Sequence, residues 1–272
     1  MSSQQHKQSS NGLERSISDD PILACVIDFF DRSFRDVADT DYISARTCHR
    51  LGLEQQFLWA SLQAIEKYLK GILLYNDKPV KDLGHGMEEA YVRLKLIKDI
   101  QFDIPKDVED FITYLNEQGP NRYFEYPSVT KGEELRLLDK SVWYLRRYCQ
   151  FLQRESTQLD GTVINCFKAE LNRIHDPRYK RKPNHFRINS GHLEKILDQK
   201  KSGLRRELIW KNFYYGTYKK ETIRNVTVRS SSGNPTHYLH PEIFHELAKR
   251  VKFSIDVIDH FNKKKTVSPP KV

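Results

Sequence analysis

Long apolar runs are missing from this 272-residue chain, and no stretch approaches the ~18 apolar residues that a membrane span needs. The first residues are polar, so no secretory signal is expected and the pattern points to a cytoplasmic setting. Cysteine is scarce. Cys25, Cys48, Cys149 and Cys166 form no CxxC pair, and His and Cys do not alternate at zinc spacing. Four reduced thiols are therefore expected, with no disulfide framework and no structural zinc. Cys48 and His49 are neighbours in sequence, but adjacent side chains on a helix diverge, which argues against a catalytic pair. There is no glycine-rich phosphate loop, no GxSxG elbow and no paired-carboxylate signature. His237, His240 and His245 lie near Glu242 and Glu246 without a HExxH arrangement, so neither a metal nor another cofactor is expected.

What the chain does have is a core and a lopsided charge. A hydrophobic content of 38% with 11% aromatics suits a globular protein with one large domain or two ordinary ones. The net charge of +9 is concentrated downstream. Residues 1–150 carry 20 Lys and Arg against 24 Asp and Glu, whereas residues 151–272 carry 25 against 12. A basic half of this kind favours a polyanionic partner, with nucleic acid the first candidate.

Periodicity predicts a mostly α-helical fold. Ser18-Asp19-Asp20-Pro21 is a helix start, and the first helix is expected over residues 21–51, ended by Gly52 in a left-handed cap. Leu58, Leu62, Ile65, Leu69 and Ile72 step by three and four along a second helix, residues 53–75. Further helices are expected over 85–99, from Pro105 to Gly119, and over 133–153. Downstream, residues 162–175 read as a helix, 176–189 as a basic loop, and 191–213 as one or two helices. Residues 222–229 are the best strand candidate, 230–235 a turn, and short helices follow over 241–251 and 254–261. The organisation expected is a disordered tail (1–18), a helical bundle (19–155), a basic helical extension or second domain (156–262) with a short strand or hairpin, and a loose basic tail (263–272).

Four segments occur in a familiar order: Asp41-Tyr-Ile-Ser-Ala-Arg46, Gln63-Ala-Ile-Glu-Lys-Tyr-Leu-Lys70, Gly84-His85, and Arg122-Tyr-Phe-Glu-Tyr-Pro127. Over residues 33–153 the chain resembles the HEPN domain family. The resemblance implies an antiparallel helical bundle that pairs as a homodimer. It also implies work on RNA or nucleotides, often in toxin–antitoxin, stress or phage-defence settings. Lys67, Lys70, His85 and Arg122 are then candidates for nucleotide or RNA contact, although Glu66 and Lys70 also read as an ordinary exposed helical pair.

Many HEPN proteins are metal-independent ribonucleases with an Arg-x4–6-His motif. The chain departs from that pattern, because no His lies between Arg122 and the end of the fifth expected helix. The motif occurs only downstream, as Arg178…His185 and Arg187…His192, where about two such matches arise by chance. Arg173, Arg178, Lys180, Arg181, Lys182 and Arg187 surround these pairs, with Tyr179 and Phe186 interleaved. Cations can neutralise phosphates and aromatics can stack on unpaired bases. The sequence therefore favours a non-catalytic or divergent HEPN-like protein that binds RNA or a nucleotide through Lys180, Arg181 and Lys182. A metal-independent endoribonuclease and a dimeric scaffold for a partner protein are the alternatives.

Overall fold

The computed structural model describes residues 20–119, 121, 124–130, 132–157, 162–217 and 231–265. The chain is mostly helical, and no described helix is long and apolar enough to cross a membrane.

Helix α1 (Pro21–Phe30) starts where the sequence marks it. Asp20 accepts hydrogen bonds from the Ile22 and Leu23 amides, both at 3.0 Å, and Pro21 fills the first turn. The expected single helix over 21–51 is interrupted by a π-helical turn, Asp31–Arg35, before α2 (Asp36–Arg50). The wider turn brings Arg35 inward, where its guanidinium meets Asp31 at 2.7 Å and Asp36 at 3.1 Å. Gly52 closes this arm with a φ of 75°, the left-handed conformation a side chain would strain.

Helix α3 (Glu54–Tyr75) is the centre of the bundle. It packs most extensively along α2, and also against α4 (Met87–Lys95), α5 (Lys106–Gln118) and α6 (Glu134–Arg146). Leu58, Leu62, Ile65, Leu69 and Ile72 are all buried, as their spacing predicts. Helix α4 begins two residues after His85, which lies in the preceding turn. Helix α6 ends at Arg146, not Gln153, because residues 147–150 tighten into i→i+3 turns. The Gln150 side chain donates to the Arg147 carbonyl at 2.8 Å.

Beyond α6 several sequence expectations change. Residues 162–175 do not form one helix. Strand β3 (Val163–Asn165) pairs antiparallel with β2 (Glu155–Thr157), and α7 (Phe167–His175) follows. The expected basic loop over 176–189 is instead a short helix α8 (Pro177–Arg181) and a 3-10 turn (Pro183–His185). Pro183, Phe186 and Ile188 are buried, and they secure this segment against the bundle. Helices α9 (His192–Asp198) and α10 (Gly203–Ile209) complete the region. One hydrophobic core joins bundle residues such as Leu69 and Val142 to Ile174, Phe186, Leu193, Leu208 and Tyr215.

The strand candidate at 222–229 lies outside the described residues. The expected turn at 230–235 contains strand β4 (Ser231–Gly233), paired antiparallel with β1 (Ser128–Thr130). Helices α11 (Thr236–Leu239), α12 (Phe244–Ala248) and α13 (Ile255–Lys265) surround a small second cluster of Phe244, Phe253, Val257 and Phe261. His237 is buried against these rings, with Nε2 3.0 Å from the Glu125 carbonyl oxygen.

Two ion networks cross the main core. In one, Asp39 accepts from Arg146 at 2.7 and 2.9 Å, from the Tyr68 hydroxyl at 2.5 Å and from the Leu193 amide at 3.2 Å. Glu194 holds the rest of the Arg146 guanidinium at 2.7 and 2.8 Å and accepts from the Ile188 amide. In the other, Asp139 accepts from Tyr42 and Arg46, while Arg46 also reaches the carbonyls of Glu207 and Trp210. Both networks tie the bundle to α9 and α10.

Gly191 marks how closely the first network is packed. A Cβ there would lie 2.1 Å from Glu194 Oε2 and 2.8 Å from Arg146 Nη2. Gly191→Ala is therefore expected to lower the unfolding free energy by about 1–3 kcal/mol, as overpacking does, in urea denaturation.

Candidate functional site

The Asp176–Phe186 segment presents the densest group of free cations. Asp176 caps α8 by accepting from the Arg178 amide at 2.8 Å. At the other end, the buried Trp143 Nε1 donates to the Pro183 carbonyl at 3.1 Å and fixes the 3-10 turn. Tyr179 and Phe186 stand perpendicular, with ring centroids 5.2 Å apart. The outcome is an open cleft of about 530 Å³ lined by Arg178, Tyr179, Arg181, Lys182 and His185.

The charge in this cleft is uneven in a useful way. Arg178 is held by Asp176, with Nη2 at 2.6 Å from Oδ2, and its hydrogen bonds lower the Asp176 carboxyl from its ordinary value. Arg181, Lys182 and His185 are exposed, and their side chains have no hydrogen-bond or ion-pair partner among the described residues. Tyr179 is half-buried, so its ring is held while one side lines the cleft. Lys180 is exposed beside the cleft but does not line it.

The two downstream Arg–His pairs fare differently. Arg178 and His185 share the cleft. Arg187 is instead held on α9, 2.8 Å from both Asp198 carboxylate oxygens and 3.1 Å from the Glu194 carbonyl. His192 is the first residue of α9, and neither it nor Arg187 is among the described residues lining the cleft.

The bundle candidates form a separate group. Lys67 donates to Asp41 at 2.6 Å and to Gln63 at 3.1 Å. Lys70 donates to Glu66 at 2.5 Å and to the Gly84 carbonyl. His85 Nδ1 lies 3.2 Å from the same Glu66 oxygen. The Glu66–Lys70 pair is not an exposed one, since Glu66 is only 5% exposed. Burial makes this pair a clamp between α3 and the turn before α4. Arg122 lies outside the described residues.

Sequence reasoning missed Arg147. It lies just beyond α6, 3% exposed, with its guanidinium carbon 3.8 Å from the Trp143 ring centroid and 4.9 Å from that of Tyr144. Its Nη1 donates to the Ile174 carbonyl, and its Nε has no partner. A basic residue at a helix C-terminus normally reads as an exposed partner of the helix dipole, so the pattern gave no warning of burial.

Among the described residues, no group of three or more His, Cys, Asp or Glu side chains is placed to hold a metal ion. Comparison with family models, with curated proteins and with solved structures returns no match.

Proposed function

We propose that this chain is a HEPN-like protein that binds RNA, or a nucleotide, through the cleft at Arg178–His185. It acts without catalysis, as a cytoplasmic homodimer in RNA metabolism, stress or defence. The observation that carries the binding claim is two unpaired cations, Arg181 and Lys182, beside His185 and the half-buried ring of Tyr179. Cations without carboxylate partners are available to phosphates, and a fixed aromatic face suits an unpaired base. The net charge of +13 in residues 151–272 extends the attraction beyond the cleft. A salt series of binding to a single-stranded oligonucleotide tests this. The logarithm of affinity is expected to fall with the logarithm of salt at about −0.7 for each phosphate neutralised, hence a slope of about −1.4 from the unpaired Arg181 and Lys182. An affinity indifferent to salt would overturn the proposal.

One observation favours a second reading, a metal-independent endoribonuclease: Arg178 and His185 line the same cleft. His can carry the proton during 2′-hydroxyl attack, and Arg can stabilise the charge that builds on phosphorus. Purified protein in EDTA is expected to leave total RNA intact. Cleavage that disappears in His185→Ala would establish the enzyme instead.

A further inference from the structure

Four arginines are buried among the described residues: Arg35, Arg46, Arg146 and Arg147. Three of them have carboxylate partners. Arg35 meets Asp31 and Asp36, Arg46 meets Asp139, and Arg146 meets Asp39 and Glu194. Arg147 has none within ion-pair distance among the described residues, and the one carboxylate that acts on it, Asp103, does so without contact. Its contacts are the faces of Trp143 and Tyr144, the Ile174 carbonyl and the ring of Phe186, whose centroid lies 5.9 Å away. Burial pulls its guanidinium down to about 10, which leaves it charged near neutral pH. Aromatic faces attract a cation, but they supply no counter-charge.

The placement of this charge is specific. Trp143, on which Arg147 stacks, donates to the Pro183 carbonyl, and Phe186 follows directly after His185. Pro183–His185 is the turn that carries His185 into the cleft. Arg147 therefore stands behind the cleft wall, in a setting where charges are screened less than on the surface. Arg173 also approaches Phe186, at 4.6 Å, but Glu170 neutralises it at 2.7 Å.

We propose that Arg147 is a positioning residue for the cleft: its charge, in contact with no carboxylate, draws an anionic group inward, and a bound phosphate supplies the close counter-charge that the fold withholds. This rests on the binding role proposed for the cleft. It adds that affinity depends on a residue no ligand touches, and that binding relieves an unpaired charge.

Arg147→Met removes the charge and keeps an apolar stem of similar reach. The test measures binding of a fluorescein-labelled oligouridylate by anisotropy, together with the thermal midpoint with and without oligonucleotide. Arg147→Met is expected to weaken binding roughly tenfold, an amount in keeping with electrostatic focusing of one charge. Its midpoint without oligonucleotide should equal or exceed that of the native protein, because burying an unpaired charge is unfavourable. Arg147→Lys, which keeps the charge, should bind within about threefold of native, the loss reflecting its compact ammonium in place of a planar fork. A merely structural role would lower the midpoint and leave the affinity of the folded variant unchanged, and that result overturns the inference. Equal weakening in the Lys and Met variants also overturns it. Native binding with no effect of Arg147→Met removes this inference alone, whereas no native binding removes the proposed function as well.

Discussion

Asp39→Ala is expected to lower the unfolding free energy by about 3–5 kcal/mol, the cost of breaking a buried ion pair from one side. Asp39 is fully buried and accepts four hydrogen bonds, two of them from Arg146. Its removal strands one edge of that guanidinium, the Tyr68 hydroxyl and the Leu193 amide away from water. Urea denaturation followed by tryptophan fluorescence measures the loss, and a change below about 1 kcal/mol would mean the network is dispensable. The companion carboxylate adds a pH signature. Burial works to raise the Glu194 carboxyl, but the charge and hydrogen bonds of Arg146 prevail and hold it below its ordinary value of 4.5. Its stabilisation is therefore present above that ordinary value and disappears as pH falls through the lowered one. Glu194→Gln should flatten this part of the acid-unfolding curve while also lowering stability near neutral pH.

The double substitution Arg181→Ala with Lys182→Ala is expected to have the largest effect on binding. Both side chains are exposed and unpaired among the described residues, so their loss should leave the unfolding curve unchanged. Affinity for single-stranded RNA should fall on the order of 30-fold at low salt, and the salt slope should become shallower by about 1.4, two phosphates' worth. Substituting Lys67 and Lys70 is the informative contrast. These lysines are occupied by Asp41, Gln63, Glu66 and the Gly84 carbonyl, so their replacement should reduce stability more than binding. Unchanged affinity and slope in the Arg181/Lys182 variant would remove the cleft from consideration.

The central helix α3 was legible because its apolar residues repeat at helical spacing and Gly52 marks the cap before it. The cleft was only half legible. Its cations and aromatics stand out in the sequence, but α8 spans five residues, too few for a hydrophobic period to register. Two prolines and a run of charge made the segment read as a loop. Its anchorage comes from Pro183, Phe186 and Ile188, which are buried without following any repeat, and from Trp143 of another helix, which donates to the Pro183 carbonyl. The buried ions were hidden for a different reason. Asp39 sits on the same face as the buried Tyr42, and a charge on an apolar face is a signal of burial. Its partner Arg146 lies 107 residues away, a separation no local pattern can bridge. Arg147 had no sequence partner to find, since its distinguishing feature is the lack of one.

The cleft's role is tested most directly by crosslinking a single-stranded RNA containing 4-thiouridine to the full chain and mapping the attached peptides by mass spectrometry. Crosslinks in the segment 176–187, with Tyr179 prominent, are the expected result. Crosslinks confined to the α3 face around Lys67 and Lys70, or none at any salt concentration, would contradict it.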